Sequence, residues 1–328
     1  MSFEAILLVA IALAFGFFNG LHDSSNVVAT VISTRAMRPR LALWLAALAN
    51  GVGPLIFGVA VATTIGHEVV AEEAITLPVV YAALLAAIGW NVITLLFGIP
   101  SSTSHALIGG LVGPVWIGYG IDAILAAGMI KILATLFVSP FIGMLAGYWI
   151  IKLSYFLAGN ASPHINVWFR RGQVLTAVTL SLSHGTNDAQ KTMGIIALGL
   201  VATGSLETFH IPLWVILASA AAMGAGTLFG GWSLIRTLGG GFYRLRPIHG
   251  FSAQTASSAV ILGAALLGGP VSTTHVVSSA IVGAGSAERV QKVRWGVVGN
   301  IVVSWFLTIP ATMALGALLY VMLDTLFY

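Results

Sequence analysis

Two short stretches of the chain place hydroxyl side chains in a run: 100-PSSTSH-105 and 270-PVSTTH-275. In each, a proline ends an incoming helix, so the Ser and Thr residues fall at the start of an outgoing one. A helix start presents unbonded N–H groups and the positive end of the helix dipole, and Ser and Thr cap it well. Two such starts facing each other would make a pocket of backbone and hydroxyl donors suited to an oxyanion. One stretch alone reads equally well as ordinary capping within a helix bundle. The repetition of Pro-x-Ser-Thr-(Ser/Thr)-His favours a site, with Ser102, Thr103, Ser104, Ser272, Thr273 and Thr274 as its substrate-binding groups.

A second pair of motifs, 18-FNGLHDSSNVVAT-30 and 181-SLSHGTNDAQKTMG-194, sets an acid, amides and glycine inside stretches long enough to span a bilayer. An ionisable residue at membrane depth is costly and marks a path for substrate or ion. Gly20 and Gly185 are read as points where the helix opens and frees carbonyls for an ion, giving interrupted helices. The plainer alternatives are that Asp23 caps a helix over 24–34 and that Asp188 pairs with Lys191, three residues on. Lys191 either offsets the charge of an anionic substrate or neutralises Asp188; the sequence leaves both open. His22, next to Asp23, is of the residue type most used to exchange protons and suits proton coupling. For His184, His105 and His275, structural support and direct chemistry are equally open. His67, His164, His210 and His249 fall in or near loops and receive no role. The pairs Gly109/Gly113 and Gly143/Gly147 read as helix-packing surfaces.

These groups sit in an unusually apolar chain. Of its 328 residues 58% are hydrophobic and 7% charged, with a mean hydropathy of +0.99. Soluble domains carry roughly 25% charged residues, so the composition is that of a polytopic membrane protein. The net charge of +4 reflects basic loops and scarce acids and says nothing of nucleic acid; zero cysteines exclude disulfides and thiolate metal sites. The first 34 residues lack the basic start and cleavage site of a signal peptide and carry Asp23, and are read as mature protein.

Apolar segments run approximately over 4–34, 41–65, 78–98, 105–119, 121–151, 172–202, 211–236, 253–268, 271–286 and 295–326. Basic connections (Arg35, Arg38, Arg40; Lys152, Arg170, Arg171; Arg236, Arg244, Arg246; Arg289, Lys292, Arg294) alternate with acidic ones (Glu68, Glu72, Glu73; Glu207). Under the positive-inside rule the basic loops are cytoplasmic. The pairs 78–98/105–119 and 253–268/271–286 then make no net crossing. Their short arms and uncharged polar tips favour re-entrant hairpins. Asp188 lies 165 positions after Asp23, and Pro270 lies 170 after Pro100. Each half reads as helix with Asp, crossing helix, hairpin, crossing helix, with opposite starting sides. The expected fold is therefore an all-α polytopic membrane protein with an inverted-topology repeat: first repeat 1–151, cytoplasmic linker 152–171, second repeat 172–328.

The four motifs together resemble the inorganic phosphate transporter (PiT) family of phosphate permeases. The twin Asn-Asp-type signatures are matched by 19-NGLHDSSN-26 and 184-HGTNDAQK-191, the hairpin signatures by Pro100–His105 and Pro270–His275. Where the family commonly has Asn before the first Asp, this chain has His22, as in the compact bacterial low-affinity members. The resemblance covers essentially the whole chain. It implies a symporter of inorganic phosphate, driven by protons or sodium, acting as a homodimer in the bacterial inner membrane. It further implies that the hairpin hydroxyls hold phosphate and that Asp23, Asn26, Asn187 and Asp188 bind substrate or coupling ion. Beside it, Gln190 is grouped with Asn26 and Asn187 as substrate-binding, and His22 with Asp23 and Asp188 as serving the coupling ion. No cofactor is expected.

Sulfate and phosphate are separated by hydrogen-bond chemistry. An ionised carboxylate only accepts, and so does sulfate, whereas phosphate near pH 7 still carries a proton to donate to Asp23 or Asp188. Replacing an amide oxygen by His22 removes a sodium ligand and adds a titratable group, which leans towards protons; a divalent metal carried with phosphate is a further option from the family. The Gly-x-Ser-Gly setting of an intramembrane serine protease and the Gly-Lys-Ser/Thr phosphate loop of an ATP-driven pump are both absent from the sequence. Neither an enzyme nor an ATPase is expected.

Overall fold

The computed structural model describes residues 2–159, 161–162 and 164–327; Met1, Asn160, Pro163 and Tyr328 lie outside the described residues. The described chain is all-helical apart from short 3-10 turns and one isolated bridge between Val70 and Ile124. In chain order the helices are α1 (Phe3–Ser33), α2 (Pro39–Phe57), α3 (Ala60–His67), α4 (Leu77–Phe97), α5 (Thr103–Tyr119) and α6 (Ala126–Ala158). There follow α7 (Ile165–Ala202), α8 (Leu213–Phe229), α9 (Trp232–Gly240), α10 (Pro247–Leu266), α11 (Thr273–Glu288) and α12 (Trp295–Phe327). The linker expected over 152–171 is largely helical, because α6 runs on to Ala158 and α7 begins at Ile165.

The two halves use the same order of elements: a long helix, a broken helix, a hairpin and a second long helix. The breaks do not fall where the polar motifs suggested. α1 and α7 are continuous through Gly20 and Gly185, so the expectation of interrupted helices at these two glycines is corrected. Both glycines instead permit a close helix crossing. A Cβ on Gly20 would lie 2.1 Å from the Met223 carbonyl oxygen on α8, and one on Gly185 would lie 2.1 Å from that of Asn50 on α2. The interruptions occur in the second segment of each half, between α2 and α3 at Gly58 (φ 84°) and between α8 and α9 at Gly230 (φ 73°). There glycine supplies a backbone conformation that other residues adopt at a cost. At the second break the chain turns through 71°.

The hairpin tips are built alike. Gly98 and Gly268 are left-handed at φ 65° and 71°, and the next N–H returns to a carbonyl five residues back, Ile99 to Thr94 and Gly269 to Ala264, both at 2.9 Å. Proline follows, and then a serine that caps the outgoing helix. Of the four arms only α4 has the length and hydropathy of a membrane span. At about 1.5 Å per residue, α5 and α11 fall short of the roughly 30 Å hydrocarbon core. α5 packs along α12, and α11 along α6. Gly109, Gly113, Gly143 and Gly147 lie in those seams, each with a neighbouring backbone too close to admit a Cβ freely.

The distribution of polarity is the reverse of a soluble protein's. Phe97, Phe156 and Leu267 are exposed, whereas Asp23, Asp188, Lys191 and the hairpin hydroxyls are buried. The basic loops gather at one end. Arg35, Arg170, Arg244, Arg246 and Arg294, one or two from each of four connections, line a single hollow of about 570 Å³. That convergence agrees with the positive-inside assignment of these loops to one side.

Candidate functional site

α1 and α7 pass against each other at the centre of the bundle. Nearly every residue of α1 from His22 to Val31, and of α7 from Ser183 to Leu200, is buried. The crossing brings Asp23 and Asp188 together, and the two hairpin tips close on them. Asp23, His184 and Asp188 each offer one ligand atom, and these atoms lie within 4.8 Å of one another.

Three threonine hydroxyls of the two tips are spent on the two carboxylates. Thr103 Oγ1 donates to Asp23 Oδ2 at 3.0 Å, and Thr274 Oγ1 donates to Asp23 Oδ1 at 3.0 Å. Thr273 Oγ1 donates to Asp188 Oδ2 at 2.9 Å, while Lys191 Nζ donates to Asp188 Oδ1. Ser104 Oγ donates to the Val271 carbonyl at 2.9 Å and accepts from Lys191 at 2.5 Å. The bonds run within and between halves, so each tip is tied to both long helices. Asn26 Nδ2 donates to Thr274 Oγ1 at 2.9 Å, and Asn187 Nδ2 donates to the Gly269 carbonyl at 3.2 Å. The Oδ1 atoms of both asparagines are buried with no hydrogen-bond partner among the described residues. Buried polar atoms of that kind call for an explanation.

Two histidines address the aspartates. His22 Nδ1 lies 2.9 Å from Asp23 Oδ1, and its Nε2 lies 3.1 Å from Thr94 Oγ1. His184 can be followed atom by atom. Thr227 Oγ1 donates to the Met223 carbonyl at 3.0 Å and so accepts from Asn50 Nδ2 at 2.9 Å. Asn50 Oδ1 is then the atom facing His184 Nδ1 at 3.2 Å, which must carry the hydrogen. His184 Nε2 is left 2.8 Å from Asp188 Oδ2, too oblique for a hydrogen bond, and 4.0 Å from Asp23 Oδ2, too far for one. A bare nitrogen lone pair facing two carboxylates is repulsive. A second proton or a cation at that point removes the repulsion, and two carboxylates with an imidazole form a donor set able to hold a metal ion.

The sequence-derived candidates divide accordingly. Thr103, Ser104, Thr273, Thr274, Asn26, Asn187, Asp23, Asp188 and His22 all meet at the crossing. Ser102 and Ser272 stand at its edge as N-caps, their Oγ atoms accepting from the backbone N–H of His105 at 3.2 Å and His275 at 3.3 Å. Gln190 points away from it. Its Oε1 accepts from the backbone of Val61 at 2.7 Å and Ala62 at 3.1 Å, and its Nε2 donates to the Gly58 carbonyl at 2.7 Å, so its amide secures the α2–α3 break. His105 and His275 lie ring against ring, 4.6 Å between centroids, and His275 stacks on Trp305 at 3.9 Å, which joins the hairpins to each other. Asn50, Thr94 and Thr227 form a supporting layer that the sequence did not single out, joined by Ser101 of the first hydroxyl run, which donates to Thr94 Oγ1 at 3.0 Å. Each of the three is an isolated polar residue in an apolar helix, and that isolation was the available signal.

Residues 19–316 match the model of the phosphate transporter family. The chain is 44% identical over 319 residues to a probable low-affinity inorganic phosphate transporter of Rhizobium meliloti (strain 1021), covering 97% of this chain and 96% of the relative. A protein of the same description from Bacillus subtilis (strain 168) is 46% identical over 331 residues, covering 98% of each. A solved structure described as the sodium-dependent phosphate transporter superposes with a TM-score of 0.91 at 25% identity, covering 99% of this chain and 100% of that one.

Proposed function

The chain belongs to the phosphate transporter family, and from that premise we propose that it is a proton-coupled symporter of inorganic phosphate in the bacterial plasma membrane. The observation that carries this reading is the use of the hairpin hydroxyls. Thr103, Thr273 and Thr274 donate to Asp23 and Asp188, so carboxylate and phosphate compete for the same donors. An anion entering alone would meet two carboxylates and no free threonine hydroxyl. A proton or cation that neutralises an aspartate weakens its hold on those hydroxyls, because hydrogen bonds to charged groups are the stronger ones. The released hydroxyls, with Ser102 and Ser272 and the unbonded N–H groups at the starts of α5 and α11, then take the phosphate oxygens. Coupling follows from this exchange: each ligand prepares the site for the other.

The orphaned carbonyl oxygens of Asn26 and Asn187 suit the remaining P–O–H of phosphate, a donor that sulfate lacks near neutral pH. The two halves, with matching tips and matching order, are taken as an inverted repeat with the substrate at their interface. Protons are favoured as coupling ion by His22, which contacts Asp23 where an amide would offer sodium an oxygen. A second reading rests on the Asp23, His184 and Asp188 donor set: a divalent cation entering with phosphate as a neutral complex.

The test is radiolabelled phosphate uptake into proteoliposomes under separate inward proton and sodium gradients, with magnesium and excess sulfate as further arms. Concentrative, sulfate-resistant uptake under the proton gradient is the expected result. Uptake driven only by sodium, or dependent on the divalent ion, replaces the coupling choice, and displacement by sulfate replaces the anion.

A further inference from the structure

The two aspartates are not equivalent, and the difference lies three residues beyond each. Asn26 follows Asp23 and Lys191 follows Asp188 at the same spacing. Each donates to the corresponding hydroxyl of the opposite half's tip, Asn26 to Thr274 at 2.9 Å and Lys191 to Ser104 at 2.5 Å. Only Lys191 adds a charge. Its Nζ also donates to Asp188 Oδ1 and lies 3.5 Å from the Val271 carbonyl oxygen.

We propose that Lys191 is a built-in cation, its ammonium occupying beside Asp188 the place that an exchangeable coupling cation would otherwise take. This assignment rests on the transport reading above and narrows it: one half is permanently neutralised, and the coupling ion is exchanged at Asp23.

Three features support the assignment. The oxygens around Nζ are a carboxylate, a hydroxyl and a backbone carbonyl, the ligand types that hold hard cations. Their number matches the three N–H donors of an ammonium. Lys191 is wholly buried, and a buried charge is retained only where it is paired. Asp23 has no such fixed neighbour. Among the described residues its ion-pairing groups are the imidazoles of His22 at 2.9 Å and His184 at 4.0 Å, and no ammonium or guanidinium. A lysine kept as countercharge for the substrate would turn its donors to the substrate's place; here they are directed at the protein.

The test uses the full chain, purified and reconstituted. Melting is followed in sodium chloride against choline chloride at equal ionic strength, and phosphate uptake under a proton gradient is followed with and without sodium. Wild type is expected to ignore sodium in both. Lys191→Asn gives the second half the residue of the first, and is expected to gain a saturable sodium-dependent rise in melting temperature and a stimulation of uptake of about tenfold, within the usual range of coupling between two sites. Adding Asp188→Asn to that variant should abolish the gain, which locates the ion.

A folded, transporting Lys191→Asn protein that ignores sodium overturns the assignment. So does a sodium response in wild type that persists after Asp23→Asn, and this arm needs no Lys191 variant to fold. A wild-type response abolished by Asp23→Asn leaves Lys191 as assigned and corrects only the choice of proton. Absence of concentrative phosphate uptake by wild type under any gradient defeats the transport reading, while the melting measurements still judge Lys191.

Discussion

Thr103 and Thr273 hold the two buried aspartates in the same way: Thr103 Oγ1 lies 3.0 Å from Asp23 Oδ2, and Thr273 Oγ1 lies 2.9 Å from Asp188 Oδ2. Each bond ties a hairpin tip to the long helix of its own half. The hydroxyls that a phosphate would use are thereby held by the groups that a coupling ion would neutralise.

Replacing either threonine by valine keeps the shape and removes the donor. Phosphate affinity in uptake assays should fall by roughly ten- to a hundredfold for each, the equivalent of about 1.5–3 kcal/mol for a hydrogen bond to a charged group. Thr→Ser at the same positions should restore most of it. Ser102→Ala and Ser272→Ala should differ by also lowering the melting temperature, since each removes an N-cap worth about 1 kcal/mol. Equal uptake by wild type and both valine variants would remove the hydroxyls from the mechanism.

Asp188 and Lys191 should behave as a unit. Asp188→Asn alone leaves a buried ammonium without its partner, at a cost of about 3–5 kcal/mol, and should sharply reduce the yield of folded protein. Asp188→Asn combined with Lys191→Met removes both charges and should recover much of that yield, though not transport. Size-exclusion profiles and melting curves of the two variants decide this; equal loss in both denies the pairing any part in folding.

The helix crossings predict a steric effect without any change of charge. Alanine at Gly20 or Gly185 places a methyl group 2.1 Å from a backbone carbonyl oxygen, so the helices must separate. Overpacking of this kind costs about 1–3 kcal/mol and sometimes more. Both variants should melt lower than wild type, whereas alanine at Gly240 or Gly263, where a Cβ meets nothing within 4 Å, should not.

Glu288, the last residue of α11, gathers Arg246, His249 and Lys292 around one carboxylate oxygen, all at 2.8 Å. Burial raises its pKa, but Lys292, His249 and Arg246 outweigh burial and lower it from 4.5 to about 2. A carboxyl depressed on folding stabilises the protein fully above its unfolded value. Its contribution is lost as the pH falls from about 4.5 towards about 2. Melting wild type and Glu288→Gln side by side should therefore give a constant gap between pH 6 and 8, narrowing below about pH 4.5. A gap that stays constant through the acid range would deny the cluster its role.

Much of this architecture was legible because the bilayer writes strong signals. The apolar segments coincide with α1, α4, α5, α11 and α12 to within two residues, while α6, α7 and α10 differ from theirs by up to seven; the proline–hydroxyl runs mark both tips. Asp23 and Asp188 stand out as charges of a kind rarely found inside a membrane-spanning stretch. What failed was the reading of Gly20 and Gly185. Glycine among polar residues looks like a place where a helix opens, yet the same glycine lets two backbones touch, and only the partner helix decides between the two. The real breaks, at Gly58 and Gly230, sit in apolar surroundings with no polar motif to announce them.

Contacts between distant segments were also beyond reach. Gln190 lies in the motif of Asp188, but it turns towards the α2–α3 break, a fact set by the neighbouring helix and not by spacing. The role of His184 depends on Asn50 and Thr227, one polar residue on each of two other helices, which fix its hydrogen on Nδ1. The pairing of Lys191 with Asp188 was open as an i, i+3 alternative, whereas its bond to Ser104 spans the two halves and needed the fold.

The closed ring of bonds around Asp23 and Asp188 also bears on the membrane in which the protein sits. A polar path through a bilayer invites ions to run down their gradients and dissipate them. Here the threonine hydroxyls are engaged from within by Asp23 and Asp188, so the hairpin tips offer a passing ion no idle threonine donor. On the proposed reading, a bilayer holding the unladen protein should leak no more current than the bare bilayer.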